Sequence, residues 1–195
     1  MNTTMGFRPI ANTRSATGIM TAKLAVWWLI ASEIVIFGGL LACYIMHRLA
    51  HHEWAYYAVH TNVIAGATNT MILLTSSLFA VLAHHAAEQG DGKKAARNLL
   101  ITCGFGLGFL VVKSIEWTTE IQHGYTITAN TFWSFYYTAA GIHGAHVIVG
   151  MLCMLWVANT ARQGKDLHRV ENVGLYWHFV DLVWIFLFPL LYIAK

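Results

Sequence analysis

Five apolar stretches, each long enough to cross a lipid bilayer, fill most of this 195-residue chain. A spanning helix needs about 20 mostly apolar residues to match a hydrocarbon core of about 30 Å. The stretches are Leu24–Met46, Val63–Ala83, Leu99–Ile115, Phe132–Trp156 and Val173–Ile193. The pattern predicts an all-α integral membrane protein, a bundle of five transmembrane helices that occupies residues 24–195.

Composition agrees with a single membrane domain. Charged residues make up 11% of the chain and hydrophobic residues 57%, whereas soluble domains carry about 25% charged residues. The net charge of +3 comes from basic residues that are scattered singly or in twos and threes. Without a dense basic run, we do not expect a nucleic acid as a partner.

The basic residues predict the orientation of the chain. Two of them, Arg48 and Lys195, fall on one side of the predicted spans, and Lys113 lies inside a span. The other nine share the opposite side: Arg8, Arg14, Lys23, Lys93, Lys94, Arg97, Arg162, Lys165 and Arg169. Because cytoplasmic segments carry an excess of Lys and Arg, we expect a cytoplasmic N-terminus and an outer C-terminus. Residues 1–23 are then a mobile cytoplasmic arm.

Polar side chains inside the spans are the candidate functional residues. A charged group at the bilayer centre costs several kcal/mol unless it is paired or neutralised. These residues are Glu33, Asn69, Thr70, Glu116, His143, His146, His178 and Asp181. Their number on five helices predicts a shared, buried polar cluster in the interior.

Three of these residues should lie at one depth. With a rise of about 1.5 Å per residue, Glu33, His146 and Asp181 lie about 12 to 15 Å from the cytoplasmic ends of their helices. Spacings of three place His143 with His146, and His178 with Asp181, on common helix faces. We predict that Glu33, His146 and Asp181 form one hydrogen-bonded group.

The chain has eleven histidines, which raises the question of haem or copper ligation. Their spacing is poor for it, because the pairs His51–His52 and His84–His85 lie at helix ends, where adjacent side chains diverge. No CxxCH motif and no Cys/His cluster occurs. From this spacing we expect no metal site in this chain.

Several segments in one order resemble a known family. They are SEIVIFGG at 32–39, AGATNTMILL at 65–74, AHH at 83–85, the pair Glu116–Trp117, GIHGAHVIVG at 141–150 and YWHFVDLVWIFLF at 176–188. Over roughly residues 22–194 the chain resembles the cytochrome c oxidase subunit III family, in its five-helix form. The GxHGxHV and YWHFVDxVW segments are the most specific parts of the resemblance.

The resemblance implies a role in the aerobic respiratory chain. It implies a non-catalytic subunit of a proton-pumping haem-copper oxidase in the bacterial cytoplasmic membrane, with no catalytic residue and no haem or copper of its own. Such a subunit packs against the subunit I that holds haem and copper. Subunit II and a small subunit IV are further candidate partners. The family binds phospholipid and supports proton uptake, and Glu33 matches its carbodiimide-reactive carboxylate.

A phospholipid site is expected at the cytoplasmic end of the fifth span. Clefts between helices with basic ends commonly hold lipid headgroups. Arg169, Trp177 and His178 are the candidate lipid-binding residues.

Three other functions stay open at this point. The chain could be subunit III of a quinol oxidase, or the related protein found with nitric oxide reductase. From a different class, it could be a small transporter or proton channel. That function needs a water path across all five helices, whereas the polar residues cluster at mid-depth and towards the cytoplasmic side.

Overall fold

The computed structural model describes residues 18–51 and 54–193. Its helices are α1 (Thr21–Ala50), α2 (Trp54–Ala58), α3 (Val63–Glu88), α4 (Gly92–Gln122), α5 (Thr131–Arg162) and α6 (His168–Phe188), and α6 continues as a π-helical turn over Pro189–Ile193. The predicted N-terminal arm lies outside the described residues as far as position 17, and α1 already begins at Thr21, inside its last three residues.

The five long helices are the five predicted spans. Each of α1, α3, α4, α5 and α6 is long and apolar enough to cross a membrane, so the predicted all-helical membrane fold is confirmed. The third apolar stretch, Leu99–Ile115, is shorter than its helix, because α4 has 31 residues. Its last part contains Lys113, Glu116 and Glu120, which are buried inside the protein and therefore do not interrupt the helix.

Three helices begin at residues whose side chains accept hydrogen bonds from the unpaired N–H groups of the first turn. The side chains of Asn62, Asp91 and Asn130 accept hydrogen bonds from the first turns of α3, α4 and α5, as N-cap residues do. In the loop between α3 and α4, Gly90 adopts a φ of +78°. Glycine reaches this left-handed conformation without a steric penalty, so the loop turns tightly and α3 and α4 become antiparallel neighbours.

Helix α6 forms the centre of the bundle, and α1 its edge. More than half (56%) of the apolar stretch of α6 is buried, against 17% for α1. Helix α1 is attached near both ends: Lys23 forms an ion pair with Glu171, and the Tyr44 hydroxyl donates to the Leu190 carbonyl over 2.8 Å. Between these contacts α1 and the rest of the bundle leave a cavity.

Two glycines allow the close packing of the central tryptophan. Trp177 is fully buried. A Cβ atom on Gly150 would lie 2.9 Å from the Trp177 ring, and one on Gly106 would lie 3.0 Å from it. Helices in lipid associate through such small residues because they let neighbouring elements approach closely.

For the sections below, the end of the bundle at which α1 and α4 begin is called the basic end. Lys23, Lys93, Arg162 and Arg169 lie there, at the ends of α1, α4, α5 and α6. The opposite end is called the far end.

Candidate functional site

A cavity of about 700 Å³ lies between α1, α5 and α6, and we call it the α1 cavity. Its walls are mostly apolar and include Val26, Leu29 and Val149. Arg169, near the start of α6, lies at the basic end of the cavity. Glu33 and His146 line the cavity near mid-depth. An apolar groove with a cation at one end matches an acyl chain that carries an anionic headgroup.

Glu33 and His146 form a pair in the wall of this cavity. The His146 Nε2 lies 3.1 Å from the Glu33 Oε2, and the two side chains are 20% and 13% exposed. The edge of the Phe37 ring, with its centroid 5.3 Å away, packs against the imidazole. The sequence indicated this depth for both residues, and the structure brings them into contact.

The His146 ring is oriented by a hydrogen bond within its own helix. Its Nδ1 lies 2.8 Å from the Ile142 carbonyl oxygen, which can only accept, so Nδ1 carries a proton. A neutral imidazole then has no proton on Nε2. The Glu33 Oε2 has no partner that meets hydrogen-bond geometry among the described residues. The 3.1 Å approach is therefore a close contact between two polar groups near mid-depth.

Asp181 does not join this pair. It is buried on α6, and both of its carboxylate oxygens lack a hydrogen-bond partner among the described residues. Asp181 lies at a depth similar to that of Glu33, but it projects from a different part of the α6 surface than the α1 cavity wall. Depth alone could not distinguish these faces.

Two other predicted cluster members are also buried apart from the pair. His143 is fully buried, with ring centroids 5.4 Å from Phe109 and 5.2 Å from Trp184, and neither of its nitrogens has a partner within the described chain. The Asn69 side chain is buried in the same way. The polar residues of the spans thus occupy several separate places rather than one shared cluster.

Glu116 belongs to a second charged network, nearer the far end. Lys113 is 4% exposed, and its Nζ donates to the Glu116 Oε2 over 3.1 Å and to the Tyr136 hydroxyl over 2.9 Å. Its third hydrogen bond goes to the Tyr192 hydroxyl on the π-helical turn. Nζ also lies 4.6 Å from the Tyr136 ring centroid and 5.5 Å from that of Trp184. Three hydrogen-bond acceptors and several aromatic faces offset the cost of removing the Lys113 ammonium from water.

Glu120 completes this network. The Tyr136 hydroxyl lies 2.9 Å from the Glu116 Oε1 and 3.1 Å from the Glu120 Oε1, and its one proton serves both. Of these residues, the sequence pattern indicated Glu116 and Lys113, but not Glu120, Tyr136 or Tyr192. A signal was available on α4, because residues 113, 116 and 120 share one helix face by their spacing of three and four.

The three predicted lipid residues have different surroundings. Arg169 lines the α1 cavity. Trp177 is fully buried and donates from Nε1 to the Ser76 hydroxyl on α3 over 2.9 Å. His178 is half-buried, with Nδ1 2.7 Å from the Ser77 hydroxyl, also on α3. Of the three, Arg169 is therefore the residue whose position suits a headgroup.

Within residues 18–51 and 54–193, no three His, Cys, Asp or Glu side chains lie together as a set of metal ligands. Cys43, Cys103 and Cys153 are free thiols on α1, α4 and α5.

Five apolar spans, a buried ion pair and a groove at the edge of the bundle define a polytopic helical membrane protein. A family model described as cytochrome c oxidase subunit III matches residues 13–195. The chain belongs to the cytochrome c oxidase subunit III family, as its motifs indicated, and it is thus similar to a subunit of the haem-copper oxidases, which work as complexes of several subunits.

Individual relatives agree with the family. The chain is 34% identical over 167 residues to cytochrome c oxidase subunit 3 of Thermostichus vulcanus, covering 83% of this chain and 82% of the relative. It is 33% identical over 190 residues to that of Bacillus sp. (strain PS3), covering 95% and 92%. It is also 32% identical over 184 residues to a heme-copper oxidase subunit I+III of Aeropyrum pernix, covering 88% of this chain and 22% of the relative. These names do not favour the quinol oxidase, nitric oxide reductase or transporter alternatives.

Proposed function

We propose that this chain is the non-catalytic subunit III of a proton-pumping cytochrome c oxidase, and that it binds and stabilises subunit I in the bacterial cytoplasmic membrane. The observation that carries the proposal is the match over nearly the whole chain to proteins named cytochrome c oxidase subunit 3. In the Aeropyrum pernix relative, subunits I and III are named as one protein, which supports subunit I as the main neighbour.

Haem and copper then reside in the partner subunits, with subunit II and a small subunit IV as further neighbours. The basic end supports a cytoplasmic N-terminus, since Lys and Arg accumulate on the cytoplasmic side of membrane proteins.

The α1 cavity is proposed to hold a phospholipid. Its apolar walls suit an acyl chain, and Arg169 at its basic end suits a phosphate. The Arg169 guanidinium is held 4.7 Å from the Trp156 ring centroid and 3.1 Å from the Asp166 carboxylate, so it is pre-positioned. Glu33 and His146 line the same cavity, and we propose that through them this subunit supports proton uptake.

Arg169→Gln is expected to lower the amount of anionic phospholipid that co-purifies with the complex by about fivefold, because a basic residue near the membrane surface contributes about 1 kcal/mol to such binding. Mass spectrometry of lipids extracted from the purified complex measures it. Arg162→Gln is the matched control, since Arg162 is exposed on α5 and does not line the α1 cavity. Equal lipid content in both variants would contradict the lipid site.

The function itself is tested by purification through a tag on this chain in mild detergent. We expect a complex that contains haem-bearing subunit I, shows the spectrum of haem a and consumes oxygen with reduced cytochrome c. The separated chain should show no haem bands and no oxygen consumption. A chain that consumes oxygen alone, or that brings down no haem-bearing partner, would refute the proposal.

A further inference from the structure

Two histidines, His47 and His51, lie where α1 ends, at the far end of the bundle. His47 belongs to the last turn of the helix, and His51 is the C-cap residue directly after it. The His51 backbone N–H donates to the His47 carbonyl over 3.0 Å, so the helical hydrogen-bond pattern extends to both residues. Residues four apart on a helix have neighbouring side chains. The two imidazoles therefore leave α1 on one face.

The two rings lie side by side. Their centroids are 6.2 Å apart, and their planes are inclined by 30°. The His47 ring also packs against Phe135, with centroids 5.3 Å apart, and against Trp54, at 6.3 Å. Trp54 is buried, whereas both histidines are exposed. The pair thus packs on an aromatic group of the bundle and stays accessible from outside.

The hydrogen bond of His47 leaves its other ring nitrogen free to bind a ligand. Its Nδ1 lies 3.1 Å from the Cys43 carbonyl oxygen, which can only accept, so Nδ1 carries the proton. In the neutral imidazole Nε2 then has a lone pair. Histidines that bind metal ions are oriented in this way, with one ring nitrogen donating to a carbonyl or carboxylate and the other facing the ion.

We propose that His47 and His51 together bind a divalent transition-metal ion of the kind that prefers imidazole, such as Zn²⁺. Two histidines at positions i and i+4 on one helix face are the spacing with which helical zinc sites supply two of their ligands. Imidazole nitrogen suits Zn²⁺, Cu²⁺ and Ni²⁺. The pair also lies at the C-terminal end of a 30-residue helix, where the helix dipole favours a positive charge.

This pair differs from the adjacent histidines, whose spacing predicted no metal site. Side chains of adjacent residues such as His84 and His85 are about 100° apart around a helix, whereas those four apart are offset by only about 40°. Within the described ranges no third His, Cys, Asp or Glu joins His47 and His51 in a ligand set. Water molecules complete the coordination, so the site is an open one that exchanges its ion with solvent, unlike a closed structural zinc site.

Equilibrium dialysis of the purified complex against Zn²⁺ tests the inference, with bound metal measured by inductively coupled plasma mass spectrometry. His47→Gln and His51→Gln should each weaken the binding of one Zn²⁺ by on the order of tenfold or more, because one imidazole remains. His123→Gln is the matched control. His123 is exposed, is the C-cap residue of α4 and has its Nδ1 2.7 Å from the Thr119 carbonyl oxygen, but positions 119 and 127 are not histidine.

Thermal unfolding of each variant without Zn²⁺ separates loss of the ligand from loss of fold. Added Zn²⁺ should then raise the unfolding temperature of the wild type and of His123→Gln more than that of the two pair variants, since an ion that binds only the folded state stabilises it. X-ray absorption at the zinc edge should show two nitrogen ligands at about 2.0 to 2.1 Å.

Equal Zn²⁺ binding by the wild type and both pair variants would overturn the site. An equal loss in His123→Gln would overturn it too, because it would show an adventitious ion at exposed histidines only. Neither result depends on the partner subunits, so the proposed function would stand.

Discussion

Lys113→Met is expected to reduce the free energy of unfolding by about 3 to 5 kcal/mol, as the loss of one partner of a buried ion pair does. Methionine preserves an unbranched apolar stem, so the change removes mainly the charge and its three hydrogen bonds to Glu116, Tyr136 and Tyr192. Because Tyr192 lies on the π-helical turn, the end of α6 should loosen first. Thermal unfolding in mild detergent, followed by circular dichroism, measures the effect.

A control variant and a double variant show whether the loss of stability comes from the buried network. Lys165→Met is the control, because Lys165 is exposed and its Nζ bonds only to Gln163, over 3.3 Å, among the described contacts. The double variant Lys113→Met with Glu116→Gln should recover part of the lost stability, since it removes one of the two uncompensated carboxylates. If Lys113→Met were as stable as Lys165→Met, the network would not support the fold.

Gly150→Ala should be the second most damaging change, with a loss of about 1 to 3 kcal/mol from overpacking. The new Cβ would lie 2.9 Å from Trp177 and 3.3 Å from Tyr176. Trp177 has little room to move, because Gly106 on α4 also packs against its ring: a Cβ atom built on Gly106 would lie 3.0 Å from it. A lower unfolding temperature and an altered tryptophan fluorescence should report the displaced ring.

Gly104→Ala serves as the control for this change. Nothing lies within 4 Å of a Cβ at Gly104, so alanine there should be neutral or stabilising by up to about 1 kcal/mol through its higher helix propensity. The same substitution thus has opposite signs at two glycines. Equal unfolding temperatures for the two variants would show that Gly150 does not limit the packing of Trp177.

The sequence predicted the spans well and the buried site only in part. Apolar length is a local property, so hydropathy located α1 and α3 to α6 without knowledge of their neighbours. Depth is nearly local too, and it placed Glu33 and His146 at one level, where the structure has them 3.1 Å apart. Asp181 has a similar depth but lies on a different face of its helix. Which neighbour each face meets depends on how the helices pack together.

The sequence by itself determined the membrane class, the number of spans and the family, because these rest on composition, length and motif order along one chain. Only the tertiary structure decided which polar residues meet. It divided the predicted cluster into the Glu33–His146 pair, the Lys113 network and isolated buried groups, and it showed Glu120 beside a cavity. The physical reason is that side chains on two helices meet only when each helix has the right rotation about its axis and the two helices lie close together. The contacts at the glycines and at the central tryptophan set that arrangement.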